Sequence, residues 1–178
     1  MRPTNINIVA HNWIKEIITS TSIAIDATIG NGNDTLFLAS HCYFVYGFDI
    51  QTVALSNTKN MLTHLTNFEL ICDSHTNMSH YVKQQVDLVV FNLGYLPKGD
   101  PTITTTAPLT MQAIKEAAKL LKSNGYLFIT FYIGHLNGKT EHDCFIEQLE
   151  LMTAFKLLKS YTYQDRKDAP ILYLLQRT

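Results

Sequence analysis

The chain has 178 residues, 46% of them hydrophobic and 16% charged, with a formal net charge of −1. That length suits a single domain over residues 1–178, and the composition is that of an ordinary globule rather than a disordered or disulfide-built chain. The near-neutral charge leaves no broad nucleic-acid footprint, and no apolar run reaches the roughly 20 residues of a membrane span.

The elements follow in chain order. Met1-Arg2-Pro3-Thr4-Asn5 lacks the apolar stretch of a signal peptide, so a cytoplasmic protein is expected. Residues 8–19 place Ile8, Val9, Ile14, Ile17 and Ile18 near helical spacing, and the apolar face of this helix is a candidate contact in a homodimer. A short strand over residues 22–27 runs into a turn rich in Gly and Asn. A helix over residues 34–40 follows, with Asn33 placed to cap it. Residues 43–48 read as a second strand closed by Asp49, residues 51–65 as a helix and residues 67–72 as a third strand. A weakly marked helix over residues 75–83 precedes the clearest strand, residues 86–91, apolar on both faces as at the centre of a parallel sheet. Beyond a loop at residues 94–101, residues 108–122 form an amphipathic helix. Asn124-Gly125 then turns the chain into a strand over residues 126–132. A last helix over residues 141–155 and two strands, residues 157–163 and 171–176, complete the pattern. Such alternation predicts an α/β, Rossmann-like, doubly wound sheet of seven strands, mostly parallel with one antiparallel C-terminal strand.

Ligands of such sheets sit at the carboxyl ends of the strands, near the point where strand order reverses. At the first strand's end stands Asp26-Ala27-Thr28-Ile29-Gly30-Asn31-Gly32-Asn33-Asp34-Thr35. Gly30 and Gly32 let the backbone turn sharply and approach a ligand. A dinucleotide site wants a third glycine where Thr35 stands, Asp34 would repel a phosphate, and no P-loop motif is present. A cationic sulfonium with an amino-acid moiety suits this acidic turn better, so the expected cofactor is S-adenosylmethionine. Asp49 then reads as an acceptor for ribose hydroxyls or as the cap of the next helix, and Asp73 as an acceptor for an adenine amine or as a loop cap. Candidate cofactor contacts are Asp26, Thr28, Gly30, Asn31, Gly32, Asp34 and Thr35 in the turn, then Asp49, Gln51, Asp73, Ser74 and Asn92.

After the central strand comes Asn92-Leu93-Gly94-Tyr95-Leu96-Pro97. Asn-x-x-Tyr is similar to the [Asn/Asp]-Pro-Pro-[Tyr/Phe] motif of exocyclic-amine methyltransferases. That likeness makes Asn92 and Tyr95 the candidate catalytic pair, the amide orienting an amine and the ring packing on a base; an Asx-turn beside a core Tyr is the other reading. Cys42, Cys72 and Cys144 are too few and scattered for a disulfide framework or a CxxC site. None is placed for attack on a pyrimidine ring. His75, His80, His135 and His142 match no HxxxH or HExxH pattern, so no metal is expected.

Ala10-His11, the glycine turn, Asn92 to Pro97 and Gly99-Asp100 together resemble the YtqB/MnmM family of small bacterial methyltransferases, long labelled rRNA methylases. Ile29 and Lys98 depart from that pattern. The resemblance implies a tRNA methyltransferase that uses S-adenosylmethionine to methylate the amine of 5-aminomethyl-(2-thio)uridine at the wobble position. Its partner would be the tRNA anticodon stem-loop. Candidate substrate contacts are His11, Leu93, Gly94, Tyr95, Lys98, His135, Lys139 and Arg166, with Arg2 and Lys167 as further basic candidates. The group that takes the amine's proton stays open among Asp26, Asp73, His11 and His135. Methylation of rRNA adenine or of a small-molecule amine is the alternative, and a non-catalytic S-adenosylmethionine- or RNA-binding module ranks below it.

Overall fold

A computed structural model describes residues 5–94 and 104–178. Helix α1 (Ile6–Lys15) is capped by Asn5, whose side-chain oxygen accepts from the Asn7 N–H at 2.9 Å. Strand β1 (Ile23–Asp26) leads through the glycine turn to α2 (Asn33–Ala39), and β2 (Phe44–Asp49) leads to α3 (Thr52–Met61). After β3 (Phe68–Cys72) come a 3-10 turn (His75–Asn77) and the short α4 (Met78–Tyr81). Then follow β4 (Val86–Leu93), α5 (Ala107–Leu120), β5 (Leu121–Phe131) and α6 (Leu136–Leu149). Strands β6 (Phe155–Thr162) and β7 (Ile171–Arg177) close the chain.

The seven strands form one sheet in the order β3-β2-β1-β4-β5-β7-β6. All pairings from β3 through β5 are parallel, while β7 runs antiparallel to both β5 and β6. A short connection can close only an antiparallel pair, which is why β6 and β7 form a hairpin. Strand order reverses between β1 and β4, so the loops leaving those strands diverge and open a crevice.

Alternation along the strands divides the core into two layers. Ile25, Val89 and Phe91 pack with Met111 and Ile114 of α5 and Phe145 of α6, whereas Ala24, Leu88 and Val90 pack with Ile6 and Ile14 of α1 and Leu38 of α2. Both faces of β4 are therefore covered, which explains its apolar run Leu88 to Phe91. The apolar face of α1 packs on the chain's own sheet through Ile6, Val9, Ala10 and Ile14, leaving Ile8 half-exposed.

Several boundaries differ from the sequence expectation, among them the end of α3, at Met61 rather than 65, and that of β4, at Leu93 rather than 91. Helix α1 stops at Lys15, while Ile17 and Ile18 still pack on the core, so apolar spacing outlasts the helix. Gly32 rather than Asn33 caps α2, because the cap residue takes φ 78, a left-handed conformation that glycine adopts without a Cβ penalty. Helix α5 gives way to β5 at Leu121, and the Asn124-Gly125 turn forms an irregularity within that strand, with Asn124 at φ 64. Helix α6 starts at Leu136 and ends at Leu149, while Phe155 opens β6. Its first turn is polar apart from the exposed Leu136, so apolar periodicity missed it. The His135 ring caps it by accepting from the Gly138 N–H at 3.1 Å. No helix among the described residues is long and apolar enough to cross a membrane.

Candidate active site

The crevice between β1 and β4 opens into a cleft of about 620 Å³ at the carboxyl ends of the strands. Its walls come from the glycine turn, from residues 48–51 and 73–75 after β2 and β3, and from Asn92 to Gly94 at the end of β4. Tyr132, Gly134 and His135 after β5, Asp168 of the β6–β7 turn and Asn7 of α1 complete them.

Asp49 organises the cofactor side. One of its carboxylate oxygens accepts from the Gly30 N–H and the other from the Gln51 N–H, each at 2.9 Å. The same residue thus braces the glycine turn and the start of α3. A carboxylate has about four lone-pair positions, so both oxygens keep capacity towards the cleft. Asp73 is more heavily engaged, accepting from the Ser74 N–H at 2.6 Å, Asn77 Nδ2 at 2.9 Å and the Tyr81 hydroxyl at 2.8 Å. The Tyr81 bond above all, then those from Asn77 and Ser74, holds its carboxyl below the usual pKa. Beside it, burial lowers the pKa of His75 against a smaller opposing pull from the Ala27 backbone and Asp49, and its buried Nε2 has no hydrogen-bond partner among the described residues.

The end of β4 is held from several directions. The Asn92 N–H donates to Thr28 Oγ1 at 2.7 Å, and its side-chain Nδ2 donates to Asp34 Oδ2 at 3.1 Å and to Asn7 Oδ1 at 3.4 Å. Asp34 Oδ1 in turn accepts from His11 Nε2 at 2.6 Å, and Asn7 Oδ1 accepts from the Tyr132 hydroxyl at 3.2 Å. Asn92 Oδ1 is left buried and without a partner among the described residues. Just beyond, the Gly94 N–H donates to Thr105 Oγ1 at 3.0 Å, the Gly94 carbonyl accepts from the Thr105 N–H at 3.1 Å, and the Thr105 hydroxyl donates to buried Glu141 at 2.8 Å. This clasp ties Gly94 and Thr105 to each other and to α6.

Most of the expected cofactor residues meet on this cleft: Thr28, Gly30, Asn31, Asp34, Asp49, Gln51, Asp73, Ser74 and Asn92 all line it. Asp26, Gly32 and Thr35 stand behind the wall instead, with Asp26 accepting from the Thr28 N–H and the Thr35 hydroxyl. Among the expected substrate contacts, Leu93, Gly94 and His135 line the cleft, and His11 stands behind Asp34. Lys139 lies outside the wall and pairs with Asp143 at 2.7 Å, and Arg166 lies over the Tyr163 ring, 4.6 Å from its centroid. Tyr95 and Lys98 lie outside the described residues, as does Arg2. Sequence reasoning missed Asn7, Tyr132, His75 and Asp168. Asn7 alone had a local signal, since it precedes His11 by one helical turn and faces the same way.

Residues 45–176 match the family model described as "Putative rRNA methylase". The chain belongs to this methylase family. A Clostridium thermocellum chain carrying the same description matches it with a TM-score of 0.92 and 35% identity, over 100% of both chains. A Streptococcus mutans chain described as a methyltransferase, solved in complex with SAH, matches with a TM-score of 0.89 and 32% identity, again over 100% of both. An Arabidopsis thaliana protein named tRNA (mnm(5)s(2)U34)-methyltransferase, chloroplastic, is 34% identical over 163 residues, or 83% of this chain. The chain spans 57% of that plant protein's length. The methylase fold is that of class I methyltransferases, and S-adenosylmethionine-dependent methyl transfer is its chemistry.

The cleft fits that cofactor. Its acidic wall suits a cation, and Asp49 offers acceptors to a ribose diol. If Asp49 holds the ribose, Asp49→Ala should weaken S-adenosylhomocysteine binding by about 1.5–3 kcal/mol, roughly 10- to 150-fold. Calorimetric titration measures this, and undiminished affinity would remove Asp49 from the cofactor site.

Proposed function

We propose that this methylase acts on tRNA, methylating the amine of 5-aminomethyl-(2-thio)uridine at the wobble position to give 5-methylaminomethyl-(2-thio)uridine. The observation that carries the reading is Asn92, on the cleft wall at the end of β4, whose buried Oδ1 has no partner among the described residues. The activity in the plant relative's name supports the choice of substrate.

The bound cofactor supplies an electrophilic methyl on a sulfonium; the rest falls to the chain. An alkylamine has a pKa of roughly 10, by analogy with lysine, so it must shed a proton before it can attack. An enclosed cleft disfavours the ammonium form by removing water. Asn92 Oδ1 then accepts one N–H of the neutral amine, which leaves the nitrogen lone pair free to face the methyl. Thr28 fixes the backbone of Asn92, so the acceptor stands in one place, and positioning of this kind supplies much of the acceleration. Asp26 is fully buried behind the wall and Asp73 already takes three hydrogen bonds, so neither carboxylate is well placed to receive the proton.

Anticodon-loop bases are already partly unstacked, so extruding one into the cleft costs little. Arg166, two residues before Asp168 on the cleft wall, packs on the Tyr163 ring. Rings and cations side by side form the kind of surface that holds single-stranded RNA without reading its sequence.

The test incubates the protein and labelled S-adenosylmethionine with tRNA that carries the aminomethyl group and with tRNA that lacks it. Label should enter only the first. Equal labelling of both, or labelling of ribosomal RNA or a small amine alone, would reject the wobble-amine reading.

A further inference from the structure

A primary amide is a donor at one end and an acceptor at the other, in almost the same shape. Which end of Asn92 faces the cleft decides what the cleft can hold, and three elements combine to settle it. Asp34, near the start of α2, places Oδ2 3.1 Å from Asn92 Nδ2. An ionised carboxylate only accepts, so turning the amide over would bring two oxygens together at that distance. Asn7 Oδ1 lies 3.4 Å from the same Nδ2, and Tyr132 donates to that oxygen too, so the second neighbour is also an acceptor.

Asp34 is itself held. His11 Nε2 donates to Oδ1 at 2.6 Å, and the His11 ring stacks on Phe37 with centroids 3.8 Å apart and planes 3° from parallel. Whether singly or doubly protonated, a His11 that donates from Nε2 leaves Asp34 an acceptor on both oxygens. The Asp34 side chain is only 11% exposed, so little water competes for it.

We infer that Asp34, braced by His11, is a positioning residue that holds the Asn92 amide with its oxygen towards the cleft. The inference rests on the reading of Asn92 as the amine's acceptor and names what makes it one. An outward NH2 would donate to the amine's lone pair and block its attack; an outward oxygen accepts an N–H and leaves the lone pair free. The Asp34 carboxylate thereby selects a nucleophile that carries a hydrogen to donate.

The test uses Asp34→Asn, Asn92→Ala and the exchange D34N/N92D. In the wild type, the Asn92 side-chain NH2 should exchange slowly with solvent by NMR, its signals assigned through their loss in Asn92→Ala. Asp34→Asn can donate as well as accept, so that protection should fall at least about tenfold and kcat by a similar factor, while S-adenosylhomocysteine affinity stays within about twofold. In the exchange variant, Asn at 34 donates to Asp at 92, whose second oxygen faces the cleft, and kcat should recover to within about threefold of wild type. A purely structural role would instead lower thermal stability and cofactor affinity together with kcat. Three results overturn the inference: protection and kcat kept in Asp34→Asn, a parallel loss of cofactor affinity, or no recovery on exchange. Full kcat in Asn92→Ala would overturn the reading of Asn92 itself, whatever the NMR of the other variants shows.

Discussion

At pH 8, Asp26→Asn should make the folded methylase more stable, by on the order of 2–4 kcal/mol. Asp26 is fully buried at the end of β1, accepting from the Thr28 N–H at 3.1 Å and the Thr35 hydroxyl at 2.6 Å. Burial first, then the nearby Asp34 charge, pushes its carboxyl up to about 7, with a smaller push from Asp49; the Thr35 and Thr28 hydrogen bonds pull the other way without prevailing. The ordinary value is 3.8, so between 3.8 and about 7 the folded chain keeps a proton that the unfolded chain has lost. The contribution to stability is full below pH 3.8, declines as pH rises through that window, and is gone above about pH 7. Asparagine preserves both contacts, its oxygen accepting from Thr28 and its NH2 donating to the Thr35 oxygen, and carries no charge to desolvate. Urea unfolding of the two proteins should therefore diverge at pH 8 and converge near pH 4. A variant less stable at both pH values would show that the carboxylate form is the one the fold prefers.

Gly32→Ala should have an effect of similar size and opposite sign, destabilising by about 2–5 kcal/mol. Gly32 holds φ 78 at the head of α2, where a side chain costs roughly 1–2 kcal/mol. A Cβ there would also collide with Thr58 Oγ1 and stand 3.0 Å from the Thr58 Cβ and Cγ2, on the buried side of α3. Overpacking of this kind adds about 1–3 kcal/mol. In a chain of this size the melting temperature should drop by about 5–15 °C. Thr58 Oγ1 has no hydrogen-bond partner among the described residues, so Thr58→Ala forfeits no hydrogen bond there and removes Oγ1 and Cγ2, leaving only the Cβ in contact. The pair Gly32→Ala/Thr58→Ala should recover the packing part of the loss and retain the backbone part. An unchanged melting temperature in Gly32→Ala would mean that the turn at the cleft tolerates a shift of α2, together with the Asp34 it carries.

By itself the sequence determined the order of strands and helices and the ends of strands where chemistry would gather. Burial on one face or two writes a periodicity into each strand, and the short run Ile23 to Asp26 and the apolar run Leu88 to Phe91 carry it plainly. Gly30 and Gly32 were legible because a backbone that turns left-handed selects glycine. The start of α6 was hidden because its cap, His135, acts through one ring nitrogen rather than through an apolar pattern. Only the tertiary structure decided what the polar residues do. Asp34 stood in the turn as a cofactor contact, yet it bonds His11 and Asn92, which approach from α1 and β4. Asp26, at the head of the same motif, lies behind the wall that it stabilises. Asn7 and Tyr132 meet across most of the length of the chain, with nothing in either neighbourhood to announce it. Local spacing records how each segment is buried. Which side chains then face each other depends on how the helices pack across the sheet, and that geometry exists only once the whole chain has folded.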